Sequence, residues 1–196
     1  MCQVCKKEVN HATIELQLCT DVDQQQLFEL DLSNLRKLDC YHCKHIRTLP
    51  VISSLKKLNC DGCYSLQSIP RLPNLEILDC IFCGELQTLP HFPNLKELTC
   101  GWCDKLSEIP FLPKLQDLYC FDCPNLQTIP LLPNLEILDC DSCPSLKYGD
   151  LYKRCWTSIQ FVRGMIVLSR EWQKRSKRQI RNGFLILPQE LKDLIK

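Results

Sequence analysis

Glycine is scarce, with six residues dispersed through a chain of 196. No glycine-rich loop is present to cradle a phosphate, so nucleotide binding has little to build on. Neither a nucleophile elbow nor an H-E-x-x-H zinc helix appears. Histidine is scarcer still: His11, His42, His45 and His91 are the four, and only His42 and His45 lie near each other. His42 stands between Cys40 and Cys43, in outline a thiol–imidazole couple. No set of neighbours fills the remaining catalytic roles, so the expectation is a protein without enzymatic activity. Long apolar runs are missing too, and nothing approaches the roughly 18 residues of a membrane span. The opening stretch MCQVCKKEVNHATIELQLC lacks the apolar centre of a secretory signal. Net charge is only +1, which removes the global polycation expected of a nucleic-acid binder.

Cysteine, by contrast, is abundant, at 16 residues. Without a secretory signal, that many thiols point to a reducing compartment, the cytoplasm, where disulfides are not the default. Metal binding and buried thiols are then the alternatives. The pairs are periodic: Cys40/Cys43, Cys60/Cys63, Cys80/Cys83, Cys100/Cys103, Cys120/Cys123 and Cys140/Cys143 recur every 20 residues. Leu38, Leu58, Leu78, Leu98, Leu118 and Leu138 hold a second phase, and Pro50, Pro70, Pro90, Pro110 and Pro130 a third. The consensus is L-x-x-L-x-C-x-x-C-x-x-L-x-x-[IL]-P-x-[LF]-P-x. Six coils without an insertion are the mark of a solenoid.

The unit resembles the leucine-rich repeat, whose signature is L-x-x-L-x-L-x-x-N/C-x-L. Leu75, Leu78, Cys80 and Cys83 match it, with cysteine in place of the third leucine and also at the Asn/Cys position. The spacing from Cys83 to Leu86 is similar to that of the cysteine-containing repeat class. The short unit and its L-P-x-L-P tail are similar to bacterial effector repeats. Cysteines and prolines together look most like the leucine-rich-repeat proteins of giant DNA viruses. The resemblance covers residues 30–147. It implies a horseshoe with a parallel β-sheet on its concave face, acting as a protein-binding scaffold, and the viral likeness implies the host cytoplasm.

Elementary geometry leads to the same α/β-type, mostly β solenoid. Side chains alternate faces along a strand, which turns Leu78 and Cys80 inward and Ile77, Asp79 and Ile81 outward. Two prolines per coil rule out a helix on the return path and favour extended, polyproline-like backbone. Each coil should supply roughly six inward side chains, at about 1.5–3 kcal/mol for each one fully buried. The ends differ from the repeats. Residues 1–30 read as a cap strand plus a C-x-x-C segment, with Ile14, Leu16 and Leu18 alternating and Leu18 in phase with Leu38. Residues 31–147 are the six repeats. Residues 148–196, beginning at Gly149 and Asp150, read as a basic, mainly helical cap with Cys155 in its core.

Three states of the cysteine ladder are open. Adjacent coils formally satisfy C-x₂-C-x₁₅₋₂₀-C-x₂-C, so all twelve ladder cysteines, Cys40 through Cys143, are candidate ligands for zinc or a cluster, and a metal-binding or redox protein using the ladder is the competing function. Disulfides are a second state, because stacked Cα atoms about 4.8 Å apart lie within bridging range. The favoured state is a buried thiol ladder without cofactor. Cysteine behaves as a small apolar residue with a weak donor, and these pairs occupy the positions the repeat keeps for buried residues. Cys2, Cys5, Cys19 and His11 form a looser candidate zinc set.

The outward positions then carry the candidate function. Tyr41, Ile77, Ile81, Phe82, Trp102, Tyr119 and Phe121 put apolar bulk beside Asp79 and Asp139, a composition suited to a protein-binding hot spot. A homodimer packing these rings on a neighbouring copy is the alternative. Residues 151–196 hold 11 Lys/Arg against 3 Asp/Glu, and residues 1–150 hold 13 against 20. The basic stretch Arg170–Arg181 reads as a solvated helix, with a contact to nucleic acid or anionic membrane as the sharper reading. Leu187, Pro188, Glu190, Leu191 and Ile195 resemble the opening of an F-box helix, which implies recruitment of a ubiquitin-ligase adaptor.

Overall fold

The computed structural model describes Val4, residues 8–140 and residues 142–146. They form a mostly-β parallel solenoid. Strand β1 (Glu15–Gln17) and the short helix α1 (Gln24–Phe28) precede β2 (Lys37–Asp39), β3 (Lys57–Asn59), β4 (Ile77–Asp79), β5 (Glu97–Thr99), β6 (Asp117–Tyr119) and β7 (Ile137–Asp139). All seven strands lie in one sheet in sequence order. From β2 onward the register is the sequence period, with Leu38 opposite Leu58, then Leu78, Leu98, Leu118 and Leu138. Coils one to six are numbered here by strands β2 to β7.

Within a coil, the buried positions fix the cross-section. Leu72, Leu75, Leu78, Cys80, Cys83, Leu86 and Leu89 all point inward, one more than the six expected. Three-residue spacing between most of them makes corners. The amide of Leu75 donates to Leu72 at 3.2 Å and that of Leu86 to Cys83 at 3.0 Å, and equivalent turns recur along the stack. No helix occurs after α1 among the described residues. Proline accounts for this, because it locks φ and cannot donate the bond a helix would need. On the return side the backbone instead pairs sparsely with its neighbours, through Thr48 with Ser68 and Glu108 with Thr128.

The prolines create a need that the sequence answers one residue later. Carbonyls in this turn have no strand partner, and an unmet backbone acceptor is costly. Asn94 donates its side-chain amide to Pro73 at 2.8 Å, Asn134 to Pro113 at 2.6 Å, and Asn74 to Ser53 at 2.8 Å. The recurrent P-N-L of the repeat is thus a second ladder, which the sequence reading did not single out.

The first coil departs from expectation. Leu16, not Leu18, lies opposite Leu38, and Ile14 is exposed rather than inward. The offset is 22 residues instead of 20 because α1 occupies the intervening turn. Asp23 caps this helix, accepting from the amide of Gln26 at 2.8 Å while the Gln26 side chain accepts from Asp23. D-x-x-Q is a capping-box signature, legible in the sequence although overlooked. Gln24, inside the helix, donates to the Thr48 carbonyl at 2.8 Å and accepts from the amides of Arg47 and Thr48 at 2.9 and 3.1 Å.

Cys2, Cys5, Cys155, the cap at 148–196, the basic stretch Arg170–Arg181 and the F-box-like segment from Leu187 lie outside the described residues. Among the described residues, no helix is long and apolar enough to cross a membrane.

Candidate functional site

The site begins at the turn between the paired cysteines. The first cysteine ends each strand and points inward. Two residues on, the backbone enters the left-handed region, with φ of 58° at His42, 69° at Gly62, 56° at Phe82, 51° at Trp102, 52° at Asp122 and 55° at Ser142. For a residue with a side chain this conformation costs about 1–2 kcal/mol. Hydrogen bonds to the next coil hold it in place. The amide of His42 donates to Asp61 at 2.7 Å, Gly62 to Ile81 at 2.8 Å, Phe82 to Gly101 at 2.9 Å and Trp102 to Phe121 at 3.1 Å. The ladder therefore continues past the strands while the left-handed side chains swing outward and the second cysteine returns to the core.

This geometry assembles the aromatics. Phe82 and Trp102 stack with centroids 4.6 Å apart and planes 12° apart. Phe121 meets Trp102 edge-on at 4.7 Å and 87°. Such pairs contribute about 0.5–1.5 kcal/mol beyond their burial. The arrangement depends on Gly101, where a Cβ would come within 2.4 Å of the Phe121 ring. Despite their mutual contact, Phe82 and Trp102 remain 43% and 41% exposed, so the ridge still presents ring surface to solvent.

The proposed residues divide into two groups. Phe82, Trp102 and Phe121 are brought together across coils three to five, with Ile77, Ile81 and Tyr119 half-buried on the same face. Asp79 and Asp139 stand in one column with Thr99 and Tyr119 between them, as the strand register requires. Tyr41 is separate. It contacts His42 at 4.2 Å, and His42 meets Tyr64 at 5.8 Å, a second aromatic group on coils one and two. Tyr64 is 46% exposed and was missed, because it follows the second cysteine and a strand-phase count does not reach it.

Carboxylates flank both groups. Asp61 is half-buried and accepts from the Ile81 amide at 2.7 Å, and burial raises its carboxyl against the lowering effect of that bond. Burial also raises Asp117, and the neighbouring charges of Glu97 and Glu136 add to the shift.

Behind this face stand the cysteines. From coil two onward, the thiol of each second cysteine donates to the carbonyl of the first cysteine one coil earlier, while Cys43 in coil one donates to the Cys19 carbonyl at 3.3 Å. Cys63 reaches Cys40 at 3.0 Å, Cys83 Cys60 at 3.1 Å, Cys103 Cys80 at 3.1 Å, Cys123 Cys100 at 3.0 Å and Cys143 Cys120 at 2.9 Å. Hydrogen bonding with Cys63 and burial push the Cys40 thiol well up, and Cys83 and burial do the same to Cys60. Burial drives up Cys100 and Cys120, and it takes Cys80 to about 12 against the lowering bond with Cys103. Cys63 goes the other way, held down by its hydrogen bond with Cys40. Nine of the cysteines among the described residues, Cys40, Cys60, Cys63, Cys80, Cys83, Cys100, Cys103, Cys120 and Cys123, are free thiols. Among the described residues no three His, Cys, Asp or Glu side chains converge as a metal ion requires. The thiols form a column that points at backbone oxygens rather than at a shared centre.

Compared with protein-family models, curated proteins and solved structures, the chain matches none of them.

Proposed function

We propose that this chain is a leucine-rich-repeat horseshoe that binds a protein partner on its concave sheet face and catalyses no reaction. The observation that carries this reading is the ridge of Phe82, Trp102 and Phe121, in which Phe82 and Trp102 stay exposed although they stack on one another and Phe121 meets Trp102 edge-on. Exposed, pre-ordered rings flanked by carboxylates have the make-up of interface anchors, because a stacked ring loses little freedom on binding. The ladder behind them serves as a rigid support. Thiols that are buried, hydrogen-bonded and mostly raised in pKa are poor nucleophiles and poor ligands.

Trp102→Ala tests the reading. Loss of a hot-spot ring costs about 2 kcal/mol or more of binding energy, roughly a thirtyfold weakening. Loss of its ring contacts costs the fold only about 0.5–1.5 kcal/mol each. Partner affinity should therefore collapse while the melting temperature moves by a few degrees. A large fall in melting temperature with affinity intact would make Trp102 a core residue and reject the proposal.

A further inference from the structure

The sheet face is electrically divided. On coils one and two, the charges at the outward strand positions and between the paired cysteines balance: Lys37 and Lys57, opposite one another in register, stand against Asp39 and Asp61. From coil three to coil six neither the outward strand positions nor the positions between paired cysteines hold a Lys or Arg, whereas Asp79, Glu97, Asp117, Asp122 and Asp139 all fall there. Glu97 and Asp117 are register partners on adjacent strands, which puts their backbones about 4.8 Å apart. Neither has an ion-pair partner among the described residues. The like charges thus face one another without an ion-pair partner among those residues, with the exposed ring of Trp102 on the coil of Glu97 and that of Phe82 one coil before.

We propose that the segment bound over coils three to six is a basic, extended peptide. This rests on the reading of the face as a partner surface and adds the chemistry of what binds it. Lysine and arginine have apolar stems that lie along ring surface while their charged heads reach the carboxylates. Guanidinium groups gain further from the faces and edges of indole and phenyl rings. A cation placed between Glu97 and Asp117 relieves the repulsion that helps to raise the Asp117 carboxyl. Anionic partners such as nucleic acid and acidic lipid surfaces are repelled by the same groups. Coils one and two, where charges balance and Lys37 is paired with Glu15 at 3.3 Å, offer a basic segment less than coils three to six do.

Selection of short random peptides on the full chain tests this, followed by anisotropy measurements with the enriched peptides. The expected outcome is enrichment of Lys and Arg. Trp102→Ala and the isosteric double variant Glu97→Gln/Asp117→Asn should each weaken binding about tenfold or more. Affinity should also fall steeply as salt is raised from about 0.05 to 0.5 M. Glu108→Lys, an exposed change on the return side, should leave binding unaltered. Peptides that are not basic, that need Trp102 and that ignore the Gln/Asn variant would overturn the basic partner while leaving the surface standing. Basic peptides weakened equally by Glu108→Lys would show general charge attraction and also overturn it. Failure to enrich any peptide sensitive to Trp102→Ala would sink both readings.

Discussion

Gly101 shows how a single missing Cβ shapes the face. The same repeat position holds Tyr41, Asp61, Ile81 and Phe121 in other coils, so the turn itself accepts a side chain there. At 101 the Phe121 ring occupies the space a side chain would need. Gly101→Ala should displace that ring and cost about 1–3 kcal/mol, the usual range for overpacking. Near-ultraviolet circular dichroism and thermal unfolding would check it; an unchanged spectrum would mean Phe121 is not held there. Asp117 provides a second test. Its carboxyl is raised in the fold, so the folded state binds the proton more tightly than the unfolded one. The stability it contributes is present below the unfolded pKa and is lost as pH climbs through the folded value. Asp117→Asn should therefore raise the melting temperature at pH 7 and leave it nearly unchanged at pH 3. The opposite pattern would require a cation already seated beside the carboxylate. Neither effect was legible in the sequence, since one depends on a ring folding back over its neighbour and the other on partial burial.

At the scale of the coil, much was legible. Leucine, cysteine and proline each hold their own phase of 20 residues, and the strand register follows that period from β2 to β7. The inward direction of the cysteines could also be inferred, because alternation along a strand leaves no choice once the leucines are assigned. What stayed hidden was the left-handed turn. Glycine is its usual sign, yet only Gly62 of the six residues there is glycine. The first coil misled for a different reason: α1 adds two residues, and equal spacing to Leu18 was a coincidence of numbering. The thiol ladder makes its own prediction. Purified protein should contain no stoichiometric metal and should show 16 reactive thiols when denatured. In the folded state, the ladder thiols should react with alkylating reagents at pH 8 only as fast as the fold opens. Bound zinc, or a missing pair of thiols, would replace this account with a cross-linked one.

As a whole the molecule is close to one-dimensional. Each strand pairs only with the strand before and the strand after, so stability approximates a sum of coil and neighbour terms. A deletion that respects the period should be accepted. Removing residues 81–100 joins Cys80 to Gly101 and keeps every later residue in phase. The shortened chain should fold with a lower melting temperature and a parallel-β circular dichroism spectrum. It keeps the Trp102–Phe121 contact but loses Phe82, so binding at the ridge should weaken. Removing residues 81–95 shifts the phase by a quarter of a turn and should prevent folding; if both deletions fold equally well, the stack does not depend on register.

A structure made by adding like to like has no internal reason to stop, and a second molecule offers the same rungs as the next coil. Gln24 bears on this. Its side-chain amide gives one hydrogen bond and receives two at the return-side edge of the first coil, occupying the groups an incoming backbone would need. A newcomer at that ribbon would have to displace three bonds before making its own. The first coil is thereby closed to templated growth along this stretch of its return side.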